Sequence, residues 1–217
     1  MLPPRRSLPR RFFARDTVTV ARELIGCTLW AAAGGRTCAG RIVESEAYLD
    51  ERDPASHAAR GRTERNAVMF GPAAVVYIYL IYGLHYCLNL VAEAEGRAGA
   101  VLVRALEPLV GLEFMRERCG SARDAGLCAG PGRLCRALGI DLAWNGLPLG
   151  DRTSRPVQPD RDVRVWVAAG RAPARLTAGP RVGIRHAAAR PFRFCDADSA
   201  SLSRRPVTEG FDRIRSE

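Results

Sequence analysis

Two runs of alternating side chains, each broken by a glycine turn, constrain this chain more than any other feature. Residues 27–33 and 37–49 flank Gly34-Gly35, and residues 75–82 and 86–92 flank Gly83-Leu84. Period-two segments separated by such pairs form β-hairpins, because glycine supplies the positive φ that a tight turn demands. Residues 100–106 have the same apolar, branched character, and 163–167, 181–185 and 192–194 read as shorter strands in a Pro/Gly-rich setting. Three segments show helical spacing instead. Asp16-Thr17 starts one through Val20, Ala21, Leu24 and Ile25 to Gly26; Pro108 opens a second through Leu112 and Met115; Pro131 opens a third through Leu134 and Leu138 to Gly139. Hairpins with scattered helices predict a mixed α/β (α+β) single domain. Residues 1–13 read as a flexible basic arm, 14–198 as the domain and 199–217 as a C-terminal tail, with a polar, Arg-rich loop at 50–65.

The positive charge is all arginine. The chain has 33 Lys+Arg, none of them Lys, against 23 Asp+Glu, for a formal net charge of +10. The missing lysine excludes a Schiff-base amine, a P-loop lysine and Ser-Lys or kinase-type catalysis. Arginine's planar fork of donors matches phosphate, which points to a polyanionic partner; a coding bias toward Ala and Arg is the competing reading. The longest apolar run, residues 73–84, covers about half a membrane span and carries three tyrosines. The first 15 residues have no apolar core of a secretory signal. The expected location is therefore cytoplasmic, at the nucleoid in a bacterium or in the nucleus of a eukaryote. The seven cysteines include no Cys-x2-Cys pair, and Cys119, Cys128 and Cys135 have no His nearby. They read as reduced, buried thiols, and no metal is expected.

Four constellations carry chemistry. In Arg41-Ile42-Val43-Glu44-Ser45-Glu46-Ala47-Tyr48, strand alternation puts Glu44, Glu46 and Tyr48 on one face and Val43, Ser45 and Ala47 on the other. A carboxylate on a rigid strand suits a general base that polarises water, and exposed glutamates on a solvated face are the alternative. His57, followed by Arg60, Arg62, Arg65 and Asn66, fits a loop that contacts phosphate, or an ordinary surface loop. All five tyrosines lie between residues 48 and 86. Alternation puts Tyr77 and Tyr79 opposite Tyr82, which stands at a hairpin tip and is placed to enter something else. Tyr79 suits stacking on a planar base, at about 1–3 kcal/mol; the alternative is that these rings fill a barrel-like core. Arg104, in an otherwise apolar strand, demands a carboxylate partner, Glu44 or Glu46.

These segments, together with Tyr77-Ile78-Tyr79-Leu80-Ile81-Tyr82-Gly83, Asn89, Arg104-Ala105-Leu106-Glu107-Pro108, the run from Leu127 to Cys135, Arg181-Val182-Gly183 and Pro191-Phe192-Arg193-Phe194, have a match. The chain resembles the alkyladenine (3-methyladenine) DNA glycosylase family, single-domain monofunctional enzymes that excise alkylated and deaminated purines. The likeness is collinear over residues 17–194 and includes the polar positions. It implies a curved antiparallel sheet with peripheral helices and a protruding β-hairpin. It implies Glu46 as the general base, with Arg104 and the backbone carbonyl of Val182 holding the water. Tyr48, Ala55, His57, Tyr79, Cys87 and Asn89 would form the base pocket, Asn89 guarding it against the amino group of guanine. Tyr82 would be the wedge that fills the vacated stack. Arg60, Arg62, Arg65 and Arg133 are the expected contacts to the DNA backbone. The resemblance further implies no cofactor, no membrane, a monomer and a double-stranded DNA partner containing damaged purines.

The chemistry agrees with these roles. Reaching a base inside a duplex requires flipping it out, hence a wedge and a stacking pocket. Cleaving the N-glycosidic bond passes through an oxocarbenium-like state, which one carboxylate and a positioned water serve. Without lysine, water is the expected nucleophile and an intact abasic site the product. The chain departs from the family pattern at Leu84 for a methionine, at His85 for an aromatic ring, at Gly132 and Arg133 for Ser and Lys, and by one residue fewer between His57 and Met69. A helix-hairpin-helix glycosylase needs a mostly helical chain, which the strand pattern opposes. A non-catalytic nucleic-acid-binding module would use the same tyrosines and arginines without needing Glu46.

Overall fold

Branched and aromatic residues at alternate positions make cross-strand pairs, and in the computed structural model, which describes residues 6–120, 123–150, 163–206 and 212–213, they build one antiparallel sheet. The elements in chain order are α1 (Arg10–Phe13), α2 (Thr17–Glu23), β1 (Thr28–Ala33), β2 (Arg36–Tyr48), a 3-10 turn (Ala67–Phe70), β3 (Val76–Ile81), β4 (His85–Val91) and β5 (Ala100–Val110). There follow α3 (Leu112–Cys119), α4 (Asp124–Leu127), α5 (Pro131–Leu138), a second 3-10 turn (Leu142–Trp144), β6 (Val163–Ala168), β7 (Leu176–Gly179), β8 (Arg193–Asp196) and β9 (Asp212–Arg213). The order across the sheet is β3-β4-β5-β2-β8-β7-β9, with β1 joining β2 to β6. The sheet curls into a half-barrel flanked by the helices, a single mixed α/β domain.

The long strand β2 organises the site. Its first half pairs with β1, its length with β5, and only Glu44–Glu46 with β8. Its ladder to β5 slips at Ile42/Glu44 and again at Glu44/Ser45, passing from Glu44–Ala105 to Ser45–Val103 and skipping Arg104. Bulges bend a strand and re-aim its side chains, and this one falls at the two carboxylates and the arginine. α2 is capped by the Asp16 carboxylate, which accepts from the Thr19 amide at 2.8 Å, and Ser45 donates to the Ala21 carbonyl at 2.8 Å. α5 starts at Pro131, ends on Gly139 at φ 72°, and buries Leu134, Cys135 and Leu138.

Three expectations change, and one alternative falls away. Pro108 does not open a helix: β5 continues through it to Val110, because Pro108 faces Gly40 where the ladder slips, a position that needs no donor from it. The helix begins after Gly111, at Leu112. Residues 181–185 are a turn, not a strand; the strand there is β7, and Arg181 turns inward to a buried partner. The turn between β3 and β4 holds three residues, since Ile81 pairs with His85. Lastly, Glu44 and Glu46 do not lie on a solvated face: both are fully buried, because β8 and β5 flank that stretch and Ser203 packs on Glu44. Cys128 and Cys135 are buried in the core, and burial pushes both thiols up.

Within the expected arm, the Leu8 amide donates to the Val167 carbonyl at 2.7 Å and Phe13 is fully buried. Residues 1–5 of that arm, and 207–211 and 214–217 of the expected tail, lie outside the described residues. Among the described residues, no helix is long and apolar enough to cross a membrane.

Candidate active site

Each oxygen of Glu46 is held. The Val182 amide donates to Oε1 at 2.7 Å, and the Tyr48 hydroxyl and Arg104 Nη1 donate to Oε2 at 2.9 and 3.3 Å. Burial pushes the Glu46 carboxyl above its ordinary value, and Arg104, the Val182 amide and Tyr48 pull it only part of the way back. The result is a carboxylate readier than usual to take a proton. Arg104 reaches the second carboxylate as well: its Nε donates to Glu44 Oε1 at 2.9 Å, so both candidate partners are used. Glu44 Oε1 also accepts from Arg193 Nε at 2.8 Å. Val182 meets Glu46 through its amide, where the resemblance implied a part for its carbonyl.

In front of this network lies a cavity of about 640 Å3. Tyr48, Arg104 and Val182, the three partners of Glu46, all line it, whereas Glu46 sits directly behind them. Ala55, His57, Tyr77 and Tyr79 form further wall, and Cys87 and Asn89 come from β4. Tyr79 stands edge-on to His57 with ring centroids 4.5 Å apart, and the Tyr77 hydroxyl shares a hydrogen bond with His57 Nδ1 at 2.9 Å. Burial, then the charge of Arg65, hold the imidazole below its ordinary pKa, which favours the neutral form. Asn89 Nδ2 donates to the carbonyls of Tyr77 and Cys87 at 3.1 and 3.3 Å, which fixes its side chain across the strand pair. Burial pushes the Tyr77 hydroxyl up to about 12 and that of Tyr79 higher, so both remain phenols.

The hairpin of β3 and β4 forms one rim. Tyr82 and Gly83 both have positive φ, 54° and 67°, and the Leu84 amide donates to the Ile81 carbonyl at 3.1 Å, the arrangement of a primed turn. Tyr82 is 84% exposed and Leu84 75%, yet Tyr82 also borders the cavity. Arg65 and Arg133 border it too, Arg65 5.8 Å from the Tyr79 ring, while Arg60 and Arg62 are exposed on the loop beyond. Two departures from the family pattern touch each other: a Cβ on Gly132 would lie 2.9 Å from Cβ of His85, so the small residue on α5 makes room for the imidazole on β4.

With this geometry in place, the comparisons with known proteins decide the family. The pattern described as "Methylpurine-DNA glycosylase (MPG)" matches residues 11–200. This chain belongs to the methylpurine-DNA glycosylase family. It is a DNA repair glycosylase, a hydrolase of N-glycosyl bonds that acts on alkylated purines. A protein of Methanoculleus marisnigri named "Putative 3-methyladenine DNA glycosylase" is 48% identical over 199 residues, 92% of this chain and all of that one. Proteins of Nitrosospira multiformis and Myxococcus xanthus with the same name are each 46% identical, over 91% and 92% of this chain and 94% of theirs.

Sequence reading of this glycosylase missed several contributors. Arg181 makes a bidentate pair with Asp53, at 2.6 and 2.7 Å, both side chains fully buried, and places its guanidinium 4.6 Å from the Tyr48 ring. That pair ties the His57 loop to the turn that carries Val182. Its only sequence signal was an arginine adjoining Val182. Arg193 stood in a matching motif without an assigned role, and Ser203 gave no signal, yet both bond Glu44.

Proposed function

We propose that this glycosylase releases 3-methyladenine and related alkylated or deaminated purines, of the 7-methylguanine and hypoxanthine class, from double-stranded DNA. It flips the nucleotide into the cavity and hydrolyses the N-glycosidic bond with a water activated by Glu46, leaving an abasic site. The observation that carries this reading is a buried carboxylate with a raised proton affinity directly behind an aromatic cavity. The names of the relatives support the 3-methyladenine part.

The steps follow from the side chains. Tyr82, exposed and held at a positive φ that costs a non-glycine residue about 1–2 kcal/mol, enters the duplex and fills the place of the extruded base. Arg60, Arg62, Arg65 and Arg133 meet the phosphates, which gives affinity without reading sequence. Tyr48 and Tyr79 flank the purine, neutral His57 bonds its edge, and Ala55, Cys87 and Asn89 shape the floor, where Asn89 opposes the amino group of guanine. The C1′–N bond breaks with its electron pair going to the purine, which is already cationic when alkylated. Water, held by Arg104 and the Val182 carbonyl, bonds C1′ and gives its proton to Glu46. No cofactor is needed, the enzyme acts as a monomer, and its place of work is the DNA of the cell, the nucleoid in a bacterial cytoplasm.

Glu46→Gln tests this. Loss of a general base costs about 10^2–10^4 in rate, so single-turnover base release from methylated duplex falls at least a hundredfold while affinity for that duplex stays within a few fold. Unchanged release overturns the reading. A non-catalytic module predicts no base release from the parent protein either.

A further inference from the structure

The family match ends at residue 200, yet the residues just beyond it pack against the carboxylate pair. Ser201 is buried. The Ser203 amide donates to Glu44 Oε2 at 2.7 Å, its hydroxyl donates to Glu44 Oε1 at 2.8 Å, and the same hydroxyl accepts from Arg104 Nη2 at 3.2 Å. A serine hydroxyl has one donor and two acceptor sites, so both of its contacts are met together. Arg193 fastens the segment to β8, donating from Nε to Glu44 and from Nη2 to the Arg204 carbonyl. The three nitrogens of Arg104 thus have three different partners: Glu44 for Nε, Glu46 for Nη1 and Ser203 for Nη2.

We infer that Ser203 is a positioning residue for base release, holding the Glu44–Arg104 pair in the orientation from which Arg104 supports the ionised form of Glu46. The inference rests on the reading of Glu46 as the base. An arginine fork placed by two carboxylates alone can swing toward either one; a third anchor on Nη2 sets its plane. Without the hydroxyl, Nη2 loses its protein acceptor, and the guanidinium gains by turning toward Glu44 and away from Glu46. Ser203 does not line the cavity, so its removal acts on the chemical step and not on capture of the flipped base.

The pH at which Glu46 ionises reads this out, since the groups facing it come from five elements. Glu44 and Tyr48 lie on β2, Cys87 on β4, Arg104 on β5, Arg181 in the turn after β7, and Arg193 and Cys195 on β8. Of these, Arg104 contributes the largest pull toward ionisation, and it is the one Ser203 touches.

The experiment compares the parent with Ser203→Ala, Ser203→Thr and Glu46→Gln in single-turnover base release from methylated duplex across pH, with duplex affinity and thermal melting measured alongside. Ser203→Ala is expected to be about tenfold slower on the acid limb, the loss of roughly one charge-assisted hydrogen bond, and to converge with the parent on the plateau. Its acid limb moves to higher pH, its duplex affinity stays within twofold, and Ser203→Thr recovers most of the rate. A parental rate with an unmoved acid limb in Ser203→Ala overturns the inference, as does a Thr variant no better than Ala, or a loss of duplex affinity as large as the loss of rate. If Ser203→Ala melts below the assay temperature, Ser203→Cys, which keeps the amide and the shape but weakens the hydroxyl's bonds, carries the same expectations and the same refutations. Full activity of Glu46→Gln removes the base reading, whereas an inactive Glu46→Gln beside a parental Ser203→Ala removes only the role of Ser203.

Discussion

Tyr48→Phe isolates one hydrogen bond to the carboxylate of Glu46. The hydroxyl lies 2.9 Å from Oε2 and donates to it, while the ring forms part of the cavity wall and stacks under the Arg181 guanidinium. Phenylalanine keeps the ring and deletes the donor. A hydrogen bond to a charged acceptor is worth about 1.5–3 kcal/mol, and one pKa unit corresponds to about 1.36 kcal/mol, so the Glu46 carboxyl rises by about one to two units in the variant. Its sign follows from what the bond favours: Tyr48 stabilises the ionised form, and Glu46 already lies above 4.5 because burial outweighs its donors. A general base works only when ionised, so the acid limb of activity moves toward neutral pH by that amount. On the limb the variant is about ten- to a hundredfold slower than the parent, and the two converge on the plateau above it. The assay is the single-turnover rate of base release from methylated duplex between pH 4.5 and 9, after subtraction of release without enzyme. An acid limb that stays in place, or moves down, refutes the argument, because the limb would then not report proton uptake by Glu46.

Three other perturbations have defined outcomes. Tyr82→Ser removes an exposed ring from the hairpin tip and weakens binding to lesion-containing duplex at least severalfold, the scale of one lost stacking contact; equal affinity of variant and parent in a gel-shift titration refutes the wedge. Asp53→Ala leaves the Arg181 guanidinium buried without its partner and lowers unfolding free energy by about 3–5 kcal/mol, read from denaturant midpoints at pH 7. Burial opposes ionisation of Asp53 but Arg181 outweighs it and holds the carboxyl below 3.8, so this stabilisation is complete above that pH and shrinks as the pH falls through the folded value; a gap between variant and parent that persists unchanged in acid contradicts the pairing. Borohydride added during turnover traps no covalent protein–DNA adduct, since the sequence holds no lysine whose amine could form a Schiff base; a trapped adduct overturns hydrolysis by water.

What the sequence made legible, and what it did not, divides along sequence separation. Alternation is a local property, so the shared face of Glu44, Glu46 and Tyr48 and the two hairpins could be read directly, and the helix opened by Pro131 and closed by Gly139 stands as expected. The burial of that face could not be read, because its cover comes from elsewhere: Arg193 and Ser203 reach Glu44 across 149 and 159 residues, and Arg181 reaches Asp53 across 128. Pro108 misled for the same reason. A proline ahead of a helical pattern is a start signal, and only the slip in the ladder opposite Gly40 makes it acceptable inside β5. The division has a chemical cause. A carboxylate that must stay ionisable away from water needs several donors converging on it from different directions, and neighbours along one strand point only up or down from the sheet. The strand that bears the base is therefore readable by itself, whereas the environment that sets its proton affinity has to be assembled from β5, β8, the turn after β7 and residues 201–206, each too far away in sequence for spacing to reveal.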